Sequence, residues 1–255
     1  MKKTTKNKRI KKISVFLIFL SALCVFGATQ ASASVTFDFS DLDTPSNIAD
    51  SVNILLLLTV IALAPSILVL MTGFTRILIV MSFTRNAMGL QQTPPNQVMI
   101  GLALFLTFFI MSPIFAKMND EALQPYIAEE IEMDEALGRA VVPMREFMLA
   151  QMKPEDLNTF LSIADQPRPG DLSEISIWVI IPAFILSEIK WAFMLGFYLY
   201  IPFLIIDLVE ASTLMSLGMM MLPPAMVSMP FKLMIFLLFD GWGLIVTSLM
   251  ASFKL

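Results

Sequence analysis

Six ionisable side chains lie inside or directly after two long apolar stretches of this sequence, residues 177–206 and 231–250. They are Glu188, Lys190, Asp207, Glu210, Lys232 and Asp240. A charge in an apolar surrounding is costly, and such residues usually face a bundle interior, a partner or water. Two kinds of chemistry fit this pattern: a pathway for protons or ions, or structural ion pairs between helices or subunits.

The sequence predicts that Glu188 and Lys232 pair with each other, because each lacks an obvious local counter-ion. Snorkelling of Lys232 toward the end of its run is an alternative. Asp207 and Asp240 are further candidates for charges that act between helices or between subunits. The stretch around Asp240, Asp-Gly-Trp-Gly, indicates a packing or kink site rather than a catalytic carboxylate.

The sequence offers few of the residues that catalysis, metal binding or phosphate binding commonly use. The chain has no His and one Cys, which removes the commonest general base and the commonest metal ligand and excludes a disulfide framework. It also has no P-loop sequence for binding phosphates. We therefore expect no catalytic residues, no metal site and no cofactor.

Methionine is concentrated in one part of the chain. Residues 210–234 hold seven methionines, and Met219, Met220 and Met221 stand together just before Pro223 and Pro224. Two consecutive prolines prevent one regular helix from running through this point. Since methionine is flexible and polarizable, a ring of such side chains could close a pore and still yield to a passing chain. Ordinary gap-filling packing is the alternative.

The composition indicates a membrane protein. Hydrophobic residues make up 57% of the chain and charged residues 15%, whereas soluble domains average about 45–50% and about 25%. This balance excludes a disordered chain and a basic nucleic-acid-binding protein.

The first 33 residues have the pattern of a cleaved signal peptide. Residues 1–12 carry seven positive charges and no acid, residues 13–28 are mostly apolar, and Ala31-Ser32-Ala33 offers a cleavage site after Ala33. The alternative is an uncleaved first transmembrane helix. After cleavage the chain would keep 10 basic and 21 acidic residues, a net charge of −11.

Four apolar runs follow, at 52–71, 98–115, 177–206 and 231–250, each long enough to cross or nearly cross a bilayer. The expected fold is an all-α membrane protein with four apolar helical segments in hairpins, in one domain covering 34–255. Pro182 and Pro202 should limit the third span. Residues 116–176 form a polar insert with an amphipathic helical pattern, predicted to be periplasmic. Arg76 and Arg85 in 72–97 favour an inside location for that loop.

Three stretches of the chain closely resemble the FliP family of flagellar biosynthesis proteins. They are MTGFTRILIVMSFTRNAMGLQQTPPNQVMIGLALFLTFFIMSP at 71–113, PAFILSEIKWAFMLGFYLYIPFLIIDLVEAS at 182–212, and LMSLGMMMLPP with FKLMIFLLFDGWGLI within 214–245. The cleaved leader also fits. The resemblance covers essentially the whole chain after the leader and is least distinct in the N-terminal tail and in 120–170.

The resemblance implies a subunit of the core export gate of the flagellar type III secretion system, in the basal body at the inner membrane. It implies a homo-pentamer that assembles with FliQ, FliR and other flagellar export membrane components and passes exported flagellar proteins. Met219, Met220 and Met221 match the loop that closes the channel, and Glu188 and Lys232 match charged positions of the family. A transporter or channel for ions or small solutes that uses the intramembrane charges is the competing function.

Overall fold

The structure is a computed structural model that describes residues 69–167, 170–219 and 222–254, with six isolated positions between 55 and 66. The chain divides into two compact units, Met1–Leu58 and Thr59–Leu255, and all helices named below belong to the second. The predicted leader with its cleavage after Ala33, and most of the first apolar run, lie outside the described residues.

The described part of the chain is built of helices and holds no strand, which confirms the all-α prediction. In chain order the helices are α1 (Phe74–Ala87), α2 (Asn96–Met118), a π-helical turn (Asn119–Leu123), α3 (Gln124–Ile127), α4 (Met133–Gln151), α5 (Pro154–Ile163), a 3-10 turn (Leu172–Glu174), α6 (Ile177–Ser216), α7 (Pro224–Leu238) and α8 (Gly241–Ala251).

Among the described residues, two helical stretches are long and apolar enough to cross a membrane, Asn96–Ile127 and Ile177–Ser216. The pair α7 and α8 passes the same test together, but it is bent by 65°. The fourth apolar run is therefore helical but broken, and the break falls at Phe239 and Asp240, where the sequence predicts a kink.

Helix α6 corrects one prediction. It runs for 40 residues, or about 60 Å, through both Pro182 and Pro202, which were expected to limit the third span. Each proline removes a single backbone hydrogen bond. Ending the helix within an apolar stretch would strand several unpaired N–H and C=O groups instead, so the helix continues.

The core forms where α1 packs between α6 and α2. Ile77, Val80, Met81, Ile110 and Phe184 are among its fully or almost fully buried side chains. Helices α1 and α6 run in the same direction, since Arg76 lies beside Glu188 and Phe83 beside Gly196.

The polar insert supplies α3, α4 and α5, as its amphipathic pattern predicts. Phe147, Met148, Leu157 and Leu161 are buried against the core. Helix α5 begins at Pro154 with acidic Glu155 and Asp156 in its first turn, because proline fits the first helical position and acids favour the positive end of the helix dipole.

The crossing of α1 and α6 depends on Gly196. A Cβ at this position would lie 2.6 Å from Cγ of Phe83, so a methyl group there overpacks the contact. We expect Gly196→Ala to lower the free energy of unfolding by about 1–3 kcal/mol, measured by thermal unfolding in detergent. Gly101→Ala in α2 is the control, since nothing lies within 4 Å of its Cβ position. An equal loss of stability in both variants would contradict this reading.

Candidate functional site

A buried ion pair between Arg76 and Glu188 lies at the centre of the α1–α6 contact. Arg76 is 1% exposed and Glu188 0%. Nε of Arg76 donates to Oε2 of Glu188 at 3.0 Å, and Nη2 donates to Oε1. Two parallel bonds of this kind are the strongest arrangement available to an arginine and a carboxylate. The pair therefore fixes the two helices in register.

The remaining nitrogen of Arg76 reaches the end of α8. Nη1 donates to the backbone carbonyl of Ser252 at 2.9 Å and to its hydroxyl oxygen at 3.2 Å. The guanidinium also lies 4.1 Å from the centre of the Phe253 ring, within the range of a cation–π interaction. One side chain thus joins α1, α6 and the segment that follows α8.

The prediction that Glu188 pairs with Lys232 is wrong for this structure. Lys232, on α7, instead donates to Oδ2 of Asp207 at 2.6 Å. Ser228, one turn earlier on α7, donates to Oδ1 of the same carboxylate at 2.6 Å. The physical reason is the packing of α1: it brings Arg76 to Glu188, which leaves Lys232 to pair with Asp207 near the end of α6.

Helices α6 and α7 form an antiparallel hairpin held by this second cluster. Phe203 faces Phe236 with ring centres 6.3 Å apart, and Asp207 faces Lys232 one turn closer to the tip. Lys232 and Ser228 are buried. A buried charge needs its partner, so the Asp207–Lys232 pair favours one alignment of the two helices.

The tip of the hairpin is the methionine-rich break. Helix α6 ends in a Schellman motif: Gly218, with φ of 75°, donates its N–H to the carbonyl of Met215, and Met219 donates to that of Leu214. This motif turns the chain sharply at Met219, whose side chain is 44% exposed. Met220 and Met221 lie outside the described residues.

Lys190 and Asp240 are two further charged positions of the sequence analysis, and the structure places them in different settings. Lys190 pairs with Asp156 at the start of α5, and that carboxylate is buried. Asp240 lies exposed at the bend between α7 and α8 with φ of 47°, and its backbone carbonyl accepts the N–H of Leu244 at 3.0 Å. Asp240 therefore forms part of the bend between α7 and α8.

The arrangement of these charges favours structural ion pairing. Glu188 is fully buried and uses both oxygens on one arginine, while Asp207 uses both oxygens on Ser228 and Lys232. A proton carrier needs access to water and a free site for the proton, and among the described residues Glu188 has neither. No group of residues able to hold a metal ion occurs in the described part of the chain.

Arg76 lies in a different setting from the one that the sequence predicts. The charge pattern predicts a positive charge in an inside loop, whereas the structure places Arg76 in α1, buried in the core. A signal was present: Arg76 is followed directly by the apolar stretch Ile-Leu-Ile-Val. A charge beside so apolar a stretch favours a buried ion pair over an exposed loop.

Comparison with known proteins assigns the family. The FliP family profile matches residues 57–249. A protein of Bacillus subtilis (strain 168) named flagellar biosynthetic protein FliP is 54% identical over 215 residues, which cover 84% of this chain and 97% of that relative. A protein of the same name from Aquifex aeolicus (strain VF5) is 51% identical over 210 residues, 82% of this chain and 88% of that protein.

A third relative matches a larger share of the chain. The flagellar biosynthetic protein FliP of Caulobacter vibrioides (strain ATCC 19089 / CIP 103742 / CB 15) is 42% identical over 250 residues, 98% of this chain and 94% of its own length. The matched residues include α1, α6 and α7, which carry both buried ion pairs. The chain belongs to the FliP family.

Proposed function

We propose that this chain is a subunit of the core export gate of the flagellar type III secretion system and forms, with further copies of itself, FliQ and FliR, the channel for exported flagellar proteins. It is a structural component and not an enzyme. It acts in the flagellar basal body at the bacterial inner membrane, as a homo-pentamer among other export membrane components.

The observation that carries the proposal is a hairpin with a methionine tip and an uncovered apolar surface. Along α6, α7 and their junction, large apolar side chains point away from the rest of the described chain. They include Phe193, Phe197, Leu208, Met215, Leu217, Met226, Met234 and Leu238. An apolar surface of this extent requires lipid or protein against it, and several copies around one axis would bring their methionine tips together. The printed names of the relatives support the flagellar assignment.

Within this proposal Met219, Met220 and Met221 form the seal of the closed channel. The pairs made by Glu188 and by Lys232 with Asp207 hold each subunit's hairpin in place. Asp240 lies at the bend between α7 and α8, where it is available to a neighbouring subunit. The competing function, ion or solute transport through these charges, has no comparable support because Glu188, Asp207 and Lys232 are already paired within one chain.

The proposal is tested by deleting the gene and measuring flagellar proteins in the culture medium. We expect the deletion to abolish their export and the assembly of flagella, and a plasmid copy to restore both. The mass of the detergent-extracted complex, alone and with FliQ and FliR, gives the number of copies. Normal flagella in the deletion strain, or ion flux through the isolated chain in liposomes, would overturn the proposal.

A further inference from the structure

The segment that follows α8, residues 252–254, folds back onto the core. Phe253 is 6% exposed. The side chain of Gln151, at the end of α4, bonds the backbone of Lys254 in both directions: Nε2 donates to the carbonyl at 2.6 Å, and Oε1 accepts the N–H at 3.1 Å. Only a side-chain amide offers a donor and an acceptor in this geometry.

The position that the Phe253 ring occupies requires a glycine at residue 73. A Cβ on Gly73 would lie 2.5 Å from Cε1 of Phe253, so the ring occupies the space that any other residue would fill. The guanidinium of Arg76 lies on the ring, one turn further along the chain. Gly73, Arg76 and Gln151 thus form one site, drawn from the start of α1 and the end of α4.

Arginine fits this site in a way that lysine does not. Its planar group divides three nitrogens between two targets, with Nε and Nη2 on Glu188 and Nη1 on Ser252. The carbonyl of Ser252 also lies at the negative end of α8, where a positive charge is favourable. A lysine ammonium group could keep the ion pair with Glu188. It would lose the two parallel hydrogen bonds to that carboxylate and most of the contact with the Phe253 ring.

Helix α8 needs such an attachment. It is joined to α7 through a bend of 65° at Phe239 and Asp240, so α7 does not hold it in line. Only one face of α8 is buried, at Gly241, Ile245 and Leu249, while Leu244 is 57% exposed.

We propose that residues 252–254 are a clip, anchored on Arg76 and Gln151, that holds the bent α7–α8 pair against the α1–α6 core. Arg76 and Phe253 are then positioning residues that set the direction of α8. The inference does not depend on the proposed export function, because it concerns the conformation of a single chain.

The test measures the distance between α8 and α4 by double electron–electron resonance. Spin labels are attached to cysteines introduced by Leu244→Cys on α8 and Leu137→Cys on α4, two exposed positions. The protein is the full chain with Cys24→Ser, purified in detergent and diluted with unlabelled chain. We expect one narrow distance distribution in this parent. Phe253→Ala and Arg76→Lys should each broaden it at least about twofold or add a second distance, since a lysine cannot reproduce the two parallel hydrogen bonds.

The matched control is Phe109→Ala on α2, which removes the same side chain from an exposed position away from the bend, 71% accessible, and should leave the distribution narrow. A distribution that stays narrow in Phe253→Ala and Arg76→Lys would overturn the proposal, because α8 would then be held without the clip. So would a broad distribution in the parent itself. An equal broadening by Phe109→Ala would also overturn it, by showing no special role for the clip.

Discussion

Replacing Glu188 by alanine is expected to abolish assembly of the complex and motility. The change strands the Arg76 guanidinium in a site where that side chain is 1% exposed. Removing one partner of a buried pair costs about 3–5 kcal/mol, which is a large part of the stability of an ordinary domain. The measurement is the amount of assembled complex on a native gel after detergent extraction, together with swarming in soft agar.

The partner assignment is tested by combining substitutions. Exchanging the charges, with Arg76→Glu and Glu188→Arg, should recover part of the assembly lost in either single variant. Glu188→Ala combined with Lys232→Ala should instead lose stability additively, because the two residues belong to separate clusters. Additive losses for Arg76 and Glu188, or strong coupling between Glu188 and Lys232, would show that the pairing differs in the assembled protein.

Shortening Met219, Met220 and Met221 to alanine together should open a leak without preventing assembly. Long unbranched side chains fill a narrow lumen by dispersion contacts and rearrange at low cost, and in the proposed channel the triple change removes this filling from every copy at once. Met219 is exposed at the turn of the hairpin, so we expect little effect on the fold. The measurement is influx of a small dye or ion into cells that produce the variant with its partners.

Three other methionines provide a control variant that removes the same number of side-chain atoms. Met215, Met226 and Met234 are also exposed but lie on α6 and α7 rather than in the break between them. Their replacement by alanine removes the same number of side-chain atoms and should leave the barrier to ions intact. A fully assembled Met219–Met221 variant as tight as the wild type would place the seal elsewhere, for instance in FliR.

The helices themselves could be predicted from the sequence because long apolar runs and amphipathic periodicity are local signals. The break before Pro223, the kink at Asp240 and the start of α5 at Pro154 follow from proline and glycine at single positions. The passage of α6 through Pro182 and Pro202 could not be predicted in this way. Whether a proline ends a helix depends on the alternatives that its surroundings offer to the backbone.

Which acid pairs with which base could not be predicted from any local sequence pattern. Arg76 and Glu188 are 112 residues apart, and either acid, Glu188 or Asp207, would have been an acceptable partner for Lys232. Which one is chosen depends on α1 packing on α6 through Gly196 and Phe83. The sequence identifies the charges that must be neutralised, whereas the tertiary packing decides how they are matched.

The prolines inside the apolar helices have a consequence for what can cover them. Because proline has no N–H, each leaves the carbonyl four residues earlier without its usual donor. For Pro113, Pro182, Pro202 and Pro230 these carbonyls belong to Phe109, Trp178, Tyr198 and Met226, whose side chains are all strongly exposed. Carbonyls without their helical donor therefore lie beside strongly exposed apolar side chains on α2, α6 and α7. Hydrocarbon alone leaves such acceptors unsatisfied, so a neighbour with hydroxyl or amide donors fits this surface better than lipid tails.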